Sequence, residues 1–468
     1  MDMERLKDNS KVGEVGTELA NLCWKIQTRI RDDNGRGRVF LVDLLGRSGL
    51  EEGEPPEIFR MKDGEVWTGN YIGFFEYPEN GQTRRVTIGS RFGGDGKGQI
   101  YFPLAMLEAC WDIPMLFLEE FRGGQENNPY ELLLVLRLAL QLERAWKSGQ
   151  LRAYRSFPMY DSRMRGQLDL PRYIRQNMGL SDGRMAYFLR EYTGDNDYTR
   201  LFLRALLEAE KRFPDFVRRV KQERPQFRLA HRALLQQVSG WERMDKHTLL
   251  VRTRKRIVNP IYREYEALRV TARAVLQRVG GYEPKEEDGA PFVTGIFLDI
   301  SQLWEMYLIE KVFRRACSEL PQYQADRKIL EGMRTIRPDF WWERQGVVLD
   351  AKYRPVWVNP WDDTKEPTSW SKKIKNDVYQ VLTYMLSLNC GQGGVIYPTN
   401  GPSQEPKPLC VSDRCWRAFW RVGFSVPAVS EEKPDYPAFR RSMEEEAERL
   451  ARELSGSVFN RSESKVVG

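Results

Sequence analysis

The fold of the C-terminal third is decided by Arg337-Pro338-Asp339 and by Leu349-Asp350-Ala351-Lys352, which follows it closely. Short apolar runs beside both segments predict two neighbouring strands, with a turn near residues 343–346. Because side chains alternate along a strand, Asp350 and Lys352 share one face while Ala351 points away. The turn would make the strands antiparallel neighbours, so the carboxylates of Asp339 and Asp350 are expected to converge. The pattern therefore predicts two carboxylates and one ammonium group at a single point.

Two converging carboxylates and an ammonium group suit metal-dependent hydrolysis of a phosphodiester. The reaction needs a neutralised phosphate charge, an activated water and a stabilised oxyanion, and a hard divalent cation with oxygen ligands supplies all three. We expect Asp339 and Asp350 to bind Mg²⁺ or Mn²⁺, with the carbonyl of Ala351 as a further ligand. Lys352 is expected to hold or deprotonate the attacking water, with its pKa depressed by the nearby cation.

The helices predicted on either side of these strands carry further candidates. Glu305 lies in the apolar run 303–308, where a buried carboxylate needs a partner such as a metal or a metal-bound water; a solvent-facing position is the alternative. Gln380 and Tyr384 are spaced i and i+4 on the following helix, so they share one face. Gln380 is expected to orient the water and Tyr384 to contact a nucleic-acid backbone, with ordinary helix packing as the alternative for both.

Basic residues indicate where a polyanion would bind. The net charge of the 468 residues is +7, and arginines and lysines crowd residues 204–232 and 252–256. Arg354, Lys372, Lys373 and Lys375 are close in sequence to the predicted site and are candidates for contacts with DNA phosphates. A solvated helix face explains any one of these residues. Together with a phosphodiesterase-like site, they favour nucleic-acid binding.

Several protein classes are disfavoured by what the sequence lacks. Only two histidines occur, His231 and His247, far from the carboxylates, which argues against histidine-metal nucleases and Ser-His-Asp hydrolases. The glycine-rich stretch 93–98 lacks the spacing of a P-loop. The six cysteines form no CxxC pair, so neither a disulfide framework nor a zinc site is expected. With no signal peptide and no run of roughly 18 apolar residues, we expect a cytoplasmic protein without membrane contact.

The chain is long enough for two to three domains, and we predict a multidomain fold. Residues 1–125 form a β-rich N-terminal region, including a hairpin around Asn80-Gly81. Residues 126–285 form a mainly helical basic region, residues 286–430 an α/β domain with the candidate site, and residues 431–468 a C-terminal helix and tail. Within the α/β domain we predict helices at 300–319 and 371–388, and strands at 333–340, 346–353, 393–397 and 421–427.

The order helix-Glu, strand-Pro-Asp, strand-Asp-x-Lys, helix-Gln-x-x-x-Tyr gives residues 293–430 a resemblance to PD-(D/E)XK nuclease domains, which have the restriction-endonuclease-like fold. More narrowly, the chain resembles the McrC nuclease subunits of McrBC modification-dependent restriction systems. The segments that carry this likeness are Phe297–Ile300 (read as the entry helix), Arg337–Asp339, Leu349–Lys352, Asp377–Gln380, Leu151–Tyr154, Arg165–Leu168 and, more loosely, Asp195–Arg200.

The resemblance implies a Mg²⁺-dependent DNA endonuclease whose substrate is DNA, with modified cytosine as one candidate feature. It also implies a McrB-like AAA+ GTPase hexamer on a separate chain, and the N-terminal region is a candidate for contact with that motor or with DNA. The lack of a P-loop in this chain agrees with a separate motor. Two alternatives stay open: a self-sufficient RecB-like nuclease, and a catalytically silent adaptor that binds DNA or the motor.

Overall fold

The computed structural model describes residues 3–14, 16–32, 39–42, 57–79, 82–94, 98–111, 129–177, 182–239, 245–278, 294–354, 369–403, 405–411, 417–429 and 434–459. The chain divides into two compact units. One consists of Met1–Gln125 and Phe292–Gly468, and the other consists of Glu126–Pro291. The N-terminal region and the α/β region, which the sequence analysis separates, therefore belong to one unit.

The strands in chain order are β1 (Met3–Lys7), β2 (Val39–Val42), β3 (Phe59–Lys62), β4 (Glu65–Thr68), β5 (Tyr71–Glu79), β6 (Gln82–Gly89), β7 (Ala153–Asp161), β8 (Gln167–Leu168), β9 (Met185–Thr193), β10 (Thr294–Asp299), β11 (Gln322–Tyr323), β12 (Arg327–Ile329), β13 (Arg334–Ile336), β14 (Phe340–Trp342), β15 (Val347–Ala351), β16 (Gln392–Thr399), β17 (Lys407–Cys410) and β18 (Ala418–Ser425).

The α-helices are Thr17–Asp32, Gly98–Trp111, Pro129–Lys147, Leu170–Asn177, Asp197–Arg212, Pro214–Glu223, Pro225–Gln237, Lys246–Arg252, Arg263–Arg278, Ile300–Tyr307, Arg314–Ala316, Ser369–Ser387 and Tyr436–Leu454. Wider helical turns occur at Leu308–Phe313 and Ser455–Phe459, and short 3-10 turns at Val12–Glu14, Pro260–Tyr262 and Leu330–Gly332. None of the helices in the described ranges combines the length and apolarity needed to cross a bilayer.

A mixed six-stranded sheet, in the order β11-β14-β15-β16-β18-β17, forms the centre of the α/β region. β14 and β15 are antiparallel, whereas β15, β16 and β18 run parallel. Val347, Val348 and Leu349 are completely buried, as expected for a central strand covered on both faces. Gly394 permits close packing here, because a Cβ on it would lie 2.3 Å from the carbonyl oxygen of Trp420. The helix Ser369–Ser387 covers one face through Ile374, Val381 and Met385.

The strand predicted at 333–340 is divided in two. β13 pairs only with β12 in a separate two-stranded sheet, while β14 joins the central sheet. Arg337-Pro338-Asp339 therefore lies in the link between the two sheets and not within a strand. Proline lacks the N–H that a ladder requires, which explains an interruption at Pro338.

The second sheet of this unit joins segments distant in sequence, in the order β1-β6-β5-β10-β2. The hairpin predicted around Asn80-Gly81 is confirmed, since β5 and β6 are antiparallel up to the pair Glu79 and Gln82; Asn80 and Gly81 themselves lie outside the described residues. β10 pairs with both β5 and β2. The expectation of an entry helix at Phe297–Ile300 is wrong, because residues 297–299 belong to this strand and the helix begins at Ile300.

The second unit is mainly helical and contains a three-stranded sheet in the order β7-β9-β8. Its helix Asp197–Arg212 begins with a capping box, in which Asn196 and Thr199 satisfy each other's backbone N–H groups. Behind this cap, Asp195 accepts hydrogen bonds from Arg200 and Ser239. The segment Asp195–Arg200, one of those that carry the family resemblance, therefore contains the N-terminal cap of the helix Asp197–Arg212.

Candidate active site

The register of the central sheet places Asp339 opposite Asp350. Asp339 immediately precedes β14, Asp350 is the penultimate residue of β15, and Phe340 pairs with Leu349 between the two strands. The Oδ2 of Asp339 accepts a hydrogen bond of 2.8 Å from the backbone N–H of Ala351. The convergence predicted from the sequence thus occurs, although Asp339 lies just before its strand and Asp350 lies near the end of the other.

The negative charge of Asp350 raises the pKa values of both Asp339 and Glu305. Burial raises the pKa of Asp339 well above its ordinary value, and the negative charges of Asp350 and Glu305 raise it further. Burial likewise raises the pKa of Glu305 to about 7, with Asp299 and Asp350 adding to the effect. These carboxylates therefore form one electrostatically coupled acidic cluster.

Glu305 reaches this cluster because the five-stranded sheet directs its helix. The helix Ile300–Tyr307 follows β10 directly, and Asp299 caps it by accepting hydrogen bonds from the N–H groups of Ser301 and Gln302. The Oε2 of Glu305 accepts hydrogen bonds from the Tyr323 hydroxyl at 2.8 Å and from Gln324 Nε2 at 2.7 Å. The alternative of a solvent-facing Glu305 is therefore wrong.

Lys352 provides the positive charge of the site. Its ammonium group forms an ion pair with Asp350 and lies 3.8 Å from Asp377 Oδ1. Burial lowers the pKa of Lys352, but the charges of Asp350, Asp377 and Asp339 outweigh this effect and raise the pKa above its ordinary value. The depression predicted from the sequence depends on a cation; with the protein groups alone, Lys352 is firmly protonated.

Gln380 and Tyr384 connect the ammonium group to the segment that carries Asp339. Lys352 Nζ donates a hydrogen bond of 3.1 Å to Gln380 Oε1, and Gln380 Nε2 donates one of 2.7 Å to the Tyr384 hydroxyl. The Tyr384 hydroxyl in turn donates to the backbone carbonyl of Arg337 at 3.3 Å. The common helix face predicted from the i, i+4 spacing is confirmed, and Tyr384 is buried rather than displayed at the surface.

The four basic residues predicted to contact DNA phosphates differ in their surroundings. Arg354 is partly exposed and its Nη1 lies 3.1 Å from Asp377 Oδ2. Lys375 is exposed on the helix Ser369–Ser387. Lys372 and Lys373 lie on the same helix, but their side chains are outside the described residues.

Three residues of the site have no role predicted from the sequence. Asp377 pairs with both Lys352 and Arg354, and its position one turn before Gln380 was an available signal. Tyr323 and Gln324 bind Glu305 from β11 and the residue that follows it. No local sequence pattern predicts that Tyr323 and Gln324 contact Glu305, because the contact depends on how β11 joins the central sheet.

The residues present offer only oxygen donors, which is the preference of Mg²⁺ and Mn²⁺. The Oδ2 of Asp350 is buried, pairs with Lys352 and makes no hydrogen bond of normal geometry in the described structure. As the side chains stand, no group of three or more His, Cys, Asp and Glu residues in the described ranges is arranged to hold a metal ion. The donor chemistry and the coupled acidic cluster fit a hard cation, whereas the ion pair of Lys352 with Asp350 competes with it.

A family model described as McrBC 5-methylcytosine restriction system component matches residues 66–398. This match spans more than half of the chain, so the chain belongs to the McrBC family. The family resemblance predicted from the sequence is thereby confirmed. No curated protein matches the chain.

Two solved structures from Thermococcus gammatolerans are similar to the chain. One is a refined half-complex from a tetradecameric assembly of McrB AAA+ hexamers with bound McrC, at 16% identity, covering 95% of this chain and 100% of that chain, with a TM-score of 0.48. The other is a cryo-EM structure of the McrBC complex, at 15% identity, covering 68% of this chain and 88% of that chain, with a TM-score of 0.30. The family assignment rests on the family model, and these TM-scores add no weight to it.

Proposed function

We propose that this chain is the nuclease subunit of a McrBC restriction system and cleaves DNA in a reaction that depends on Mg²⁺ or Mn²⁺. The proposal assigns the α/β region to the PD-(D/E)XK fold. The observation that carries it is the position of Lys352, whose ammonium group contacts Asp350 and Gln380 while Asp350 faces Asp339 across two paired strands. Asp339 and Glu305 have pKa values raised by burial and by the charge of Asp350, and such a cluster of buried acids is costly unless it serves a ligand or a reaction.

The acidic residues of the proposed site and the basic Lys352 have different roles. Asp339 and Asp350, with Glu305 and the carbonyl of Ala351, would hold the cation. When bound, the cation supplies charge neutralisation at the phosphate and an acidified water. Lys352, protonated among its acidic neighbours, holds the water or a phosphate oxygen by donating hydrogen bonds, and Gln380 fixes the direction of its ammonium group.

The proposed reaction is a simple displacement. The oxygen of water forms a bond to phosphorus as the water releases a proton to solvent, the bond from phosphorus to the 3′-oxygen breaks, and the departing 3′-oxygen takes up a proton from solvent. The products are a 5′-phosphate and a 3′-hydroxyl.

Phosphate contacts are proposed for Arg354, Lys372, Lys373 and Lys375, with Tyr384 supporting the site from within. Such contacts position DNA without reading its sequence.

The proposed partner is a McrB-like AAA+ GTPase hexamer carried by a separate chain, and the proposed substrate is DNA containing 5-methylcytosine. Family membership supports both, since the family description names the 5-methylcytosine restriction system. The bound McrB hexamers named for the Thermococcus gammatolerans structure belong to that protein. For this chain, a motor partner is a proposal that a reconstitution experiment can test.

The test is cleavage of methylated and unmethylated plasmid by the purified chain with Mg²⁺, with and without its AAA+ partner and GTP. Asp350→Asn is the catalytic variant, and Asp63→Asn is its matched control because Asp63 is exposed in a turn at φ 53°, where asparagine is well tolerated. Cleavage that requires the partner, GTP, methylation and Asp350 is the expected result.

The other outcomes identify the alternatives. Cleavage by the chain and Mg²⁺ alone would replace the proposal with a self-sufficient nuclease. DNA binding without cleavage under every condition would indicate an adaptor that has lost catalysis.

A further inference from the structure

The residue that follows Lys352 is held by a segment from the N-terminal region. Tyr353 is buried, and residues 90–93, which follow β6 and are hereafter the 90–93 segment, contact it through three different groups. Arg91 Nη2 donates a hydrogen bond of 2.9 Å to the Tyr353 carbonyl. The Tyr353 hydroxyl lies 2.6 Å from Ser90 Oγ, and the ring packs edge-on against Phe92 at 4.9 Å between centroids.

The chain turns tightly at this point. The Arg354 N–H donates to the Lys352 carbonyl at 2.8 Å, which closes a turn centred on Tyr353. The Lys352 N–H still donates to Ile396 of β16, at 2.9 Å. Within the described residues up to Arg354, Lys352 is therefore the last one bonded to the central sheet, and the direction of the chain at Tyr353 and Arg354 depends on how Tyr353 is held.

The same segment also reaches the next strand. The Gly93 N–H donates to Asn400 Oδ1 at 3.1 Å, and Asn400 Nδ2 donates to the Arg91 carbonyl at 3.4 Å. Asn400 follows β16, which pairs with β15 on one side and with β18 on the other. The 90–93 segment thus contacts the residues that follow two adjacent parallel strands, one of which carries Asp350.

The buried Asp8 restrains Arg91 through two contacts. Asp8, fully enclosed after β1, lies 3.1 Å from Arg91 Nη2 through its Oδ2 and accepts a hydrogen bond of 2.7 Å from the Arg91 backbone N–H through its Oδ1. The guanidinium group also lies 5.0 Å from the centre of the Tyr353 ring. Arg91 is therefore restrained at its backbone and its guanidinium group, which makes its hydrogen bond to Tyr353 well defined.

We propose that Arg91 is a positioning residue for Lys352: by holding the Tyr353 carbonyl, it keeps the ammonium group of Lys352 beside Asp350 and Gln380. The inference rests on the proposed nuclease function for its effect on the reaction. It gives the N-terminal region a direct mechanical role in the site. A displacement of about 1 Å at a reacting group can cost on the order of 100-fold in rate, so loss of this contact would be visible in catalysis.

The informative variant is the double substitution Asp8→Asn with Arg91→Met, which removes the guanidinium group without leaving a buried carboxylate unpaired. Asp8→Asn alone is the matched control, because it removes the ion pair while an amide oxygen can still accept from the Arg91 backbone N–H, which leaves the Arg91 hydrogen bond to Tyr353 in place. Arg91→Lys is the conservative variant, since lysine keeps a positively charged donor but lacks the planar guanidinium group that lies over the Tyr353 ring. Each is made in the full chain and assayed with its partner.

For the double variant we expect a fall in kcat of about tenfold or more, with DNA affinity by fluorescence anisotropy within about twofold of the parent. Asp8→Asn should keep kcat within about threefold, and Arg91→Lys should lie between the two. Equal kcat values for the double variant and the parent would overturn the inference. So would a loss that appears equally in Asp8→Asn, because that loss would reflect general destabilisation.

Hydrogen–deuterium exchange gives a reading that does not need catalysis. The amide of Lys352 should exchange about tenfold faster or more in the double variant and at the parental rate in Asp8→Asn. If the parent chain cuts no DNA under any condition, the proposed function fails, but this measurement still tests the contact. Unchanged exchange across residues 350–354 would then overturn the positioning role.

Discussion

Lys352 Nζ donates a hydrogen bond of 3.1 Å to Gln380 Oε1, which joins the end of β15 to the helix Ser369–Ser387. The same ammonium group pairs with Asp350 and lies near Asp377. An ammonium group on a flexible stem needs such a set of acceptors to point in one direction. The amide of Gln380 therefore fixes the direction in which the Lys352 ammonium group points.

Replacing Gln380 with alanine should therefore reduce cleavage more than it reduces stability. We expect kcat to fall by about 10- to 100-fold, because the direction of the Lys352 ammonium group is lost. Leu386→Ala, an exposed position on the same helix, is the control and should leave kcat unchanged. The measurement is steady-state cleavage at saturating DNA. An equal effect of both substitutions would contradict the role assigned to Gln380.

Mg²⁺ should stabilise the folded chain through Asp350. A ligand at about 100 times its Kd adds about 2.7 kcal/mol to the free energy of unfolding. Asp350→Asn should lose this gain, while Asp63→Asn should keep it. The gain should also grow between pH 6 and pH 8, because the raised pKa values of Asp339 and Glu305 keep protons on these carboxylates at lower pH. Thermal unfolding of the parent and of both variants, with and without Mg²⁺ at pH 6 and pH 8, measures these gains. A gain in Asp350→Asn equal to that of the parent would exclude the proposed site.

In the absence of metal, Glu305 should make the protein less stable as the pH rises. Its pKa is about 7 in the folded chain against an ordinary 4.5, so the folded state binds more protons between these values. The free energy of unfolding should fall across this window, by an amount on the order of 3 kcal/mol from this group. Glu305→Gln should remove that loss. Urea unfolding in EDTA at pH 5 and pH 8 measures it, and parallel pH profiles for parent and variant would show that Glu305 does not titrate there.

In the helical unit, Asn196→Ala should be strongly destabilising. Asn196 is buried, its Oδ1 caps the helix Asp197–Arg212 and its Nδ2 donates to the Leu151 and Gly194 carbonyls. The expected cost is about 2 kcal/mol or more, since a cap and buried partners are lost together. Asn259→Ala removes an exposed cap of a short turn and should cost much less. Urea midpoints compare the two, and equal midpoints would contradict the importance of the Asn196 cap.

Much of the candidate site was accessible from local sequence patterns. Alternation along a strand predicts that Asp350 and Lys352 share a face, and the i, i+4 rule predicts that Gln380 and Tyr384 do. Both relationships hold because they depend only on backbone geometry within one element. The division of the predicted strand at Pro338 was also signalled locally, by a residue that cannot donate to a ladder.

Relationships between distant segments could not be predicted in this way. The pairing of β10 with β5 and β2, which directs the Glu305 helix, depends on which sheet edges are available after the chain folds. Tyr323 and Gln324 reach Glu305 because β11 joins β14 at the edge of the central sheet. No periodicity within either segment encodes the identity of its partner strand.

By itself, the sequence determined the residue types of the site, their order along the chain and their family, because side-chain chemistry and short-range spacing are local properties. Only the tertiary structure decided that Asp377 pairs with Lys352, that the 90–93 segment holds Tyr353, and that Asp339 and Glu305 have raised pKa values. These features arise from burial and from contacts between segments far apart in sequence, which exist only when the sheets have assembled.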